Sequence, residues 1–325
     1  MSSQFGFEAG FWSFLLAIQF GFQPDITRIF ASGEVIATAC VIVQEGLLKV
    51  YFGLQALLLT EGTQALRSWT LKDSLGKAGV PAALYAVQNL CTILAFREID
   101  GLTYNILNQS KLIWNAVLVY IFLGESFKLP QILSLCVIIV TTLLITIDPE
   151  KHSQHSKDNG NYPMGVIYTL TASMISGIAS TSIQYNLQKL KRNSYLMSAE
   201  LGFYSAVFLM IKVMTEGVMG LGDGAKIFSS SFFAGFNATT LVPLATTSAG
   251  GIIVGQVTRT IGGVGKAYAL LVGLLLSAIV HADKITWRLG ISVPLIMIAF
   301  WLKFYVGRKP NPKSTIVGAV KGKTD

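Results

Sequence analysis

The fold of this chain is decided by residues 81–125, PAALYAVQNLCTILAFREIDGLTYNILNQSKLIWNAVLVYIFLGE. This stretch contains two apolar runs long enough to cross a bilayer, and polar side chains lie inside both of them. They are Tyr85, Gln88, Asn89, Tyr104, Asn105, Asn108, Gln109 and Lys111. A charged or amide side chain in hydrocarbon costs several kcal/mol unless it faces a partner or a watery cavity. The stretch therefore predicts a polar pocket inside a membrane protein.

The composition of the whole chain agrees with a membrane location. Of its 325 residues, 52% are hydrophobic and 13% are charged, whereas an average soluble domain has roughly 25% charged residues. Long apolar runs recur near residues 9–30, 34–59, 80–97, 101–123, 129–147, 163–188, 196–215, 232–258, 264–282 and 287–307. Runs of this length favour helices, because every backbone amide in lipid needs a partner within its own segment. The sequence predicts an all-α membrane protein with ten transmembrane helices.

The longest polar connector, DPEKHSQHSKDNGNY at 148–162, follows the fifth apolar run. It separates a first five-helix repeat, 1–147, from a second five-helix repeat, 163–307, and a basic tail follows at 308–325. An odd number of spans in each half turns the second half upside down relative to the first. We therefore expect a 5+5 inverted repeat, the plan of many secondary transporters.

Lysine and arginine are unevenly distributed between the two sets of loops. One set, together with the tail, carries about twice as many as the other, which predicts that both termini are cytosolic. The net charge of +8 then mostly reflects the lysine and arginine residues that set the orientation in the membrane. No basic stripe with interleaved aromatic residues is present, so no nucleic-acid partner is expected. The N-terminal segment lacks the features of a cleavable signal peptide, and we expect the first helix to be retained.

The polar residues of the third and fourth runs fall on common helix faces. One face of the third run carries Tyr85, Gln88, Asn89 and Thr92, and one face of the fourth run carries Tyr104, Asn108 and Lys111. An aromatic ring, amides and an ammonium group suit a ligand with a flat base, a sugar and a phosphate. Hydrogen bonding that only holds the helices together is the alternative. A mid-span ammonium is too costly for that role alone, so Lys111 is the leading candidate.

A second candidate site lies where the eighth run gives way to the ninth. Arg259 and Lys266 flank Gly262, Gly263 and Gly265. Cations beside exposed backbone amides and a helix N-terminus make a phosphate site. An ordinary positively charged loop is the alternative.

Other charged residues within the apolar runs have simpler interpretations. Glu45 and Lys49 lie four residues apart, as do Lys212 and Glu216, and we expect each pair to neutralise itself along one helix face. Glu200 has no partner within local reach, which makes it a candidate for lining a cavity. No cluster of metal ligands is present, and no metal or cofactor is expected.

Six stretches together match a known pattern. They are PAALYAVQN (81–89), IDGLTYNILNQSK (99–111), SGIAS (176–180), NSYLMSAEL (193–201), TLVPLATTSAGGIIVGQVTR (240–259) and GGVGKAYALL (262–271). In these stretches the chain resembles the nucleotide-sugar transporters of the drug/metabolite transporter superfamily. It is most similar to the branch of plant UDP-N-acetylhexosamine transporters, with CMP-sialic acid and UDP-galactose transporters as near relatives. The resemblance implies an antiporter of the Golgi or endoplasmic reticulum membrane. Such a protein exchanges a cytosolic pyrimidine nucleotide sugar, here UDP-N-acetylglucosamine or UDP-N-acetylgalactosamine, for luminal UMP.

The resemblance also implies roles for individual residues. Lys111 corresponds to an essential lysine, Gln88, Asn89 and Tyr104 to residues near the nucleotide, and Arg259 to a phosphate contact. The base or ribose would come close to the chain at small residues, namely Ser176, Gly177, Ser248, Gly250 and Gly251. The chain departs from the family pattern at Leu90, Ser110, Ser198 and Ala199. These departures leave the identity of the sugar open.

Two other classes of protein stay open at this point. Another metabolite carrier of the superfamily, such as a plastid sugar-phosphate translocator or an amino-acid exporter, would share the architecture without the amide and aromatic set. A membrane enzyme would need paired carboxylates or a metal motif such as DxD, and the sequence has neither. We expect a transporter and not an enzyme. Its expected partners are the nucleotide sugar, the nucleoside monophosphate and the lipid bilayer, and a homodimer is one assembly that the sequence leaves open.

Overall fold

The computed structural model describes residues 2–30, 35–99, 101–125, 127–146, 161–280 and 287–302. Across these ranges the chain is almost entirely helical and forms no strand. Five helical stretches are long and apolar enough to cross a membrane: Ala37–Thr60, Leu71–Phe96, Tyr162–Gln188, Ser194–Met219 and Leu241–Ser277. Shorter apolar helices accompany them at Ser110–Leu123, Leu129–Leu144 and Gly290–Trp301. The prediction of an all-α, multi-pass membrane protein is confirmed. Most of the predicted connector, 148–160, and the basic tail, 308–325, lie outside the described residues.

We number the helices α1 to α10 in chain order and leave the four-residue helix Gln64–Arg67 without a number. They are α1, Ser2–Phe30; α2, the continuous segments Ala37–Ile42, Val43–Lys49 and Val50–Glu61; α3, the segments Leu71–Ser74, Leu75–Gly79 and Val80–Glu98; α4, Gly101–Asn108 and Ser110–Leu123; α5, Leu129–Thr146; α6, Tyr162–Gln188; α7, Ser194–Met219; α8 and α9, the parts of Leu241–Val280 before and after Gly262; and α10, Trp287–Trp301. Short 3-10 turns, Gly222–Lys226 and Ser230–Phe233, lie between α7 and α8.

Helix α3 begins at Leu71, about two and a half turns earlier than the apolar run at 80–97 predicts. The Thr70 hydroxyl accepts a hydrogen bond from the Asp73 backbone N–H and so caps the first turn. The Lys77 ammonium lies 2.6 Å from Asp73, four residues away. Asp73 and Lys77 are charged residues that suggest a loop in the sequence. In the structure, capping and ion pairing stabilise them at a helix end.

Two π-helical turns interrupt the regular winding of α2 and α3, at Val43–Lys49 and Leu75–Gly79. Each turn has a backbone carbonyl that accepts a hydrogen bond from the second half of the chain. The Ser248 hydroxyl donates to the Gln44 carbonyl at 2.9 Å, and the Asn186 amide donates to the Lys77 carbonyl at 2.9 Å. Backbone groups displaced from the normal ladder need such partners in a membrane. These bonds hold both π-turns against α6 and α8.

Helices pack pairwise, with close contacts at small residues. Helix α1 packs along α8 and α9, α3 packs along α6, α2 packs on α7, and α5 packs on α10. A methyl group added at Gly21 would lie 2.8 Å from the Gly273 carbonyl oxygen, so α1 and α9 approach backbone to backbone. Close van der Waals packing of this kind drives helix association in lipid, where burial of apolar surface gives little gain. The packing brings polar segments of α2, α3, α6, α7, α8 and α9 together at the centre.

A sharp break at Gly262 separates α8 from α9. Gly262 has φ 72° and ψ 178°, a conformation that residues with a Cβ atom rarely adopt. The freed backbone groups are bonded by two glutamines of α6. The Gln188 amide donates to the carbonyls of Thr258 at 3.0 Å and Arg259 at 3.3 Å. The Gly263 N–H donates to the Gln184 amide oxygen at 2.8 Å.

Gly262→Ala should destabilise the protein by about 2 kcal/mol. At φ 72° and ψ 178° the backbone lies in a region that essentially only glycine adopts, where another residue costs of order 1–3 kcal/mol, and the new Cβ would lie 2.6 Å from the amide nitrogen of Gln184. We expect the apparent Tm in detergent to fall by a few degrees. Gly124→Ala is the control for a positive φ, because Gly124 has φ 70° and ψ 17° and no atom near the added Cβ. A loss in Gly262→Ala no greater than that in Gly124→Ala would contradict this prediction.

Candidate functional site

A cavity of about 170 Å³ lies between α2, α3, α6, α7, α8 and α9. Its lining residues are Lys49, Tyr85, Ser180, Ile183, Leu187, Met197, Ser198, Leu201, Gly251, Val254, Gly255, Thr258 and Lys266. Two lysines, one tyrosine and three hydroxyl groups supply polar contacts, and no acidic side chain is among the described lining residues. Typical small-ligand pockets measure roughly 300–1,000 Å³. The cavity is smaller than this range.

Lys266 introduces positive charge into the cavity at the start of α9. It is the fourth residue after the break at Gly262, so it lies in the N-terminal turns of the helix. A helix N-terminus carries about half a positive charge, which makes a lysine there unfavourable. Lys111 of α4 is close enough to repel Lys266 electrostatically. Neither lysine forms an ion pair within the part of the chain that the structure describes. Two ammonium groups without an ion-pair partner among the described residues, one of them in the first turns of α9, favour an anionic ligand.

Lys49 is a cavity residue that the sequence pattern did not indicate. Its ammonium pairs with Glu45 at 2.7 Å, which confirms the predicted neutralisation of the two charges. The pair nevertheless lies at the centre of the molecule, because Lys49 lines the cavity. Glycines on α7 and α8 make room for the lysine stem. Added methyl groups would lie 3.3 Å from Lys49 Cδ at Gly202 and 2.9 Å from Lys49 Cε at Gly251.

The predicted polar face of α3 divides into residues inside and outside the cavity. Tyr85 lines the cavity. Gln88 lies outside the lining and donates to the Thr92 hydroxyl at 3.3 Å. Asn89 is exposed. The cavity therefore contacts α3 around Tyr85, nearer its N-terminus than the predicted amide pair.

The predicted stripe of α4 packs against α3 at one end and approaches α9 at the other. The buried Tyr104 hydroxyl is 3.1 Å from the Thr92 hydroxyl, so the polar faces of α3 and α4 meet as expected. Asn108 is half-buried at the end of the first segment of α4, and Lys111 follows at the start of the second. Among the three, Lys111 is the residue that comes near a cavity side chain, Lys266.

The small residues predicted to approach a base or ribose mostly contact other helices. Gly177 lies against Trp114 of α4, with an added methyl 3.0 Å from the tryptophan Cβ. Gly250 lies against Gln19 of α1, and Ser248 holds the π-turn of α2. Gly251 does line the cavity. Ser176 is half-buried and lies one turn before the lining residue Ser180 on α6.

Arg259 and Glu200 are both engaged in ion pairs. Arg259 pairs with Glu8 of α1. Glu200 pairs with Arg192 at 2.6 Å and accepts a hydrogen bond from the Trp69 indole at 2.8 Å. Neither is among the lining residues. Arg192 also pairs with Asp73, so this network joins the α2–α3 turn to the α6–α7 turn.

Three hydroxyl groups of the lining, Ser180, Ser198 and Thr258, were not predicted from the sequence. Serine and threonine in membrane helices commonly bond to their own backbone, as Thr258 does to the Val254 carbonyl at 2.8 Å. Their presence in an apolar run is therefore no signal of a site. Only the packing of α6, α7 and α8 shows that they face one space.

Comparison with known proteins identifies the family of this chain. The pattern of the nucleotide-sugar transporter family matches residues 16–300. This chain belongs to the nucleotide-sugar transporter family. The UDP-N-acetylglucosamine transporter ROCK1 of Arabidopsis thaliana is 34% identical over 317 residues, which are 94% of this chain and 96% of that protein. The UDP-N-acetylglucosamine transporter of Mus musculus is 26% identical over 63% of this chain and 61% of its own length. CMP-sialic acid transporter 2 of Oryza sativa subsp. indica is 24% identical over 82% of this chain and 74% of its own length.

The fold also has a counterpart among solved structures. One crystal structure superposes with a TM-score of 0.64 at 11% identity, covering 93% of this chain and 99% of that chain. At this identity the likeness concerns the fold alone. Membership of the transporter family means that the protein is a transporter and not an enzyme.

Proposed function

We propose that this protein is an antiporter that exchanges cytosolic UDP-N-acetylglucosamine or UDP-N-acetylgalactosamine for luminal UMP in the Golgi or endoplasmic reticulum membrane. The observation that carries the proposal is Lys266 in the first turns of α9, which lines the central cavity and has no ion-pair partner or acidic lining neighbour among the described residues. The substrate assignment draws on the relative from Arabidopsis thaliana, whose name is UDP-N-acetylglucosamine transporter. CMP-sialic acid or UDP-galactose, and another small metabolite, are the alternative cargoes.

The cavity offers a distinct contact for each part of a nucleotide. The Tyr85 ring provides an aromatic surface for the base. Ser180, Ser198 and Thr258 provide hydroxyl groups for the ribose or the sugar. Lys266 and the N-terminus of α9 provide the phosphate contact, and Lys111 adds a second cation nearby. Gln88, Asn89, Tyr104, Asn108 and Ser176 lie outside the lining of this cavity.

Charge balance explains why the two directions of transport would be coupled. A nucleotide sugar and a nucleoside monophosphate each carry about two negative charges near neutral pH. A one-for-one exchange therefore moves no net charge across the membrane. An empty cavity would leave the ammonium groups of Lys111 and Lys266 unneutralised in a low-dielectric interior, which is costly. The protein would reorient readily only when an anion is bound.

The pairing of helices supports a 5+5 inverted repeat of 1–147 and 163–307. If each helix of the first half corresponds to the helix five places later, the contact of α1 with α8 and α9 corresponds to that of α6 with α3 and α4. The contacts of α2 with α7 and of α5 with α10 correspond to themselves. This is the pattern that a two-fold axis in the membrane plane produces. Both termini, including the tail at 308–325, would then be cytosolic.

Thermal stabilisation by ligands tests the proposal directly. We expect UMP and UDP-N-acetylglucosamine to raise the Tm of the purified protein, by an amount equivalent to about 2.7 kcal/mol at a hundred times the Kd. CMP, GMP and triose phosphate should have little effect at the same concentration.

Stabilisation by CMP and CMP-sialic acid alone would make CMP-sialic acid the cargo. Stabilisation by UDP-galactose alone would make UDP-galactose the cargo. Stabilisation by triose phosphate alone would contradict nucleotide-sugar transport. Lys266→Ala is the control, because it should remove the stabilisation by UMP.

A further inference from the structure

Two glutamines on consecutive turns of α6 join the two sides of the helix break. Gln184 is 2% exposed, and its amide oxygen accepts from the first N–H of α9, that of Gly263. Its amide nitrogen donates to the Gln188 side-chain oxygen at 2.9 Å. Gln188 in turn donates to the carbonyls of Thr258 and Arg259 near the end of α8. The two side chains therefore form one continuous bridge from α8 to α9, which we call the glutamine bridge.

The glutamine bridge connects the α8 and α9 parts of the cavity wall. Thr258 precedes the break and Lys266 follows it, and both line the cavity. Neither glutamine is itself a lining residue. Any ligand that contacts both walls depends on the angle between α8 and α9, and a single residue at Gly262 connects them. A one-residue connection fixes that angle only if its neighbours are held.

We propose that Gln184 and Gln188 are positioning residues for the ligand phosphate. They fix the N-terminal turn of α9, and through it the ammonium group of Lys266, at the distance that a phosphate requires. This inference rests on the proposed function, since it takes the ligand to be a nucleotide whose phosphate contacts Lys266. Neutral amides suit the role because they bond backbone groups on both sides of the break without adding charge beside the cavity.

Gln184→Leu separates positioning from general stability. The leucine has a similar volume but leaves the Gly263 N–H without its acceptor. We expect the Kd for UMP to rise about tenfold, because a displacement of the phosphate-binding group by a fraction of an ångström is costly. The Kd for uridine, which has no phosphate, should change less than about twofold. Both values are measured by thermal-shift titration of the purified protein.

Asn186→Leu is the matched control on the same helix. Asn186 is 6% exposed and its amide donates to the Lys77 carbonyl at 2.9 Å, away from the break. This variant should lower the Tm without changing the ratio of the UMP and uridine Kd values. If Gln184→Leu weakens UMP and uridine equally, or weakens neither, the positioning role is wrong. If the wild-type protein does not bind UMP, the proposed function fails first, and the two failures are thereby distinguished.

Gln188→Leu tests the other end of the bridge if Gln184→Leu does not yield folded protein. It removes the donor to the Thr258 and Arg259 carbonyls but leaves the Gly263 N–H bonded to Gln184. The same selective loss of UMP affinity is expected. Unchanged UMP affinity in a folded Gln188→Leu variant would contradict the proposal.

Discussion

Replacing Lys266 or Lys111 with alanine should reduce exchange of UDP-N-acetylglucosamine for UMP in proteoliposomes by at least about thirtyfold, since deleting one partner of a buried charge contact costs roughly 2–5 kcal/mol. Lys266 lines the cavity and Lys111 lies near it, and neither has an ion-pair partner among the described residues. Their charges are therefore available to a bound anion. Uptake of radiolabelled nucleotide sugar into UMP-loaded vesicles measures the effect.

Lys212→Ala serves as the control for this experiment. Lys212 is also a lysine within an apolar helix, but its side chain is 43% exposed and pairs with Glu216 on the same helix. Exchange by this variant should equal that of the wild-type protein. Size-exclusion profiles and the Tm establish that each variant is folded. Normal exchange by a folded Lys266→Ala protein would remove the cation from the mechanism and with it the main support for nucleotide binding at this cavity.

Glu200→Ala should lower the free energy of unfolding by about 3 kcal/mol, because the buried Arg192 guanidinium loses its buried partner and keeps only the more exposed Asp73. The side chains of Arg192 and Glu200 are only 8% and 7% exposed. Burial alone would lower the pKa of Arg192, but hydrogen bonds to Glu200 and Asp73 outweigh burial and raise that pKa above its usual value. Arg192 therefore stays charged. In the Glu200→Ala variant the Trp69 indole N–H also loses its hydrogen-bond acceptor.

The thermal midpoint in detergent reports this loss, with Lys212→Ala again as the comparison. Breaking the exposed Lys212–Glu216 pair should cost less than about 1 kcal/mol. UMP should still stabilise the Glu200→Ala protein, because Glu200 is not a lining residue. A Glu200→Ala protein with a wild-type Tm but no response to UMP would instead assign Glu200 to ligand binding.

The helical fold was predictable because its signal is local. A run of about 20 apolar residues must form a helix in lipid whatever its neighbours are. The start of α3 was not predictable from hydropathy, because Asp73 and Lys77 neutralise each other only once the helix has formed. Helix boundaries that depend on capping and pairing of charges do not appear in an apolar run.

The candidate site was predictable where the sequence carries a local signal. Lys111 was a candidate because a lysine in an apolar run is costly wherever the helix packs, and Lys266 because it follows glycines at an expected helix N-terminus. Lys49 was missed because its pairing with Glu45 satisfies a local rule, while the glycines that admit it to the cavity belong to α7 and α8. Glu200 contacts Trp69 and Arg192, and Arg259 pairs with Glu8. No sequence periodicity relates these residues to their partners.

The small volume of the central cavity has a consequence for how affinities of this protein should be interpreted. At about 170 Å³ it is smaller than the pockets that typically hold small ligands, so a nucleotide sugar bound there would use part of its binding free energy to separate the helices. The apparent Kd is the intrinsic Kd divided by the fraction of molecules already expanded. A substitution that favours the expanded form would therefore strengthen binding without touching the ligand, and the tightest-binding variant need not be the fastest carrier.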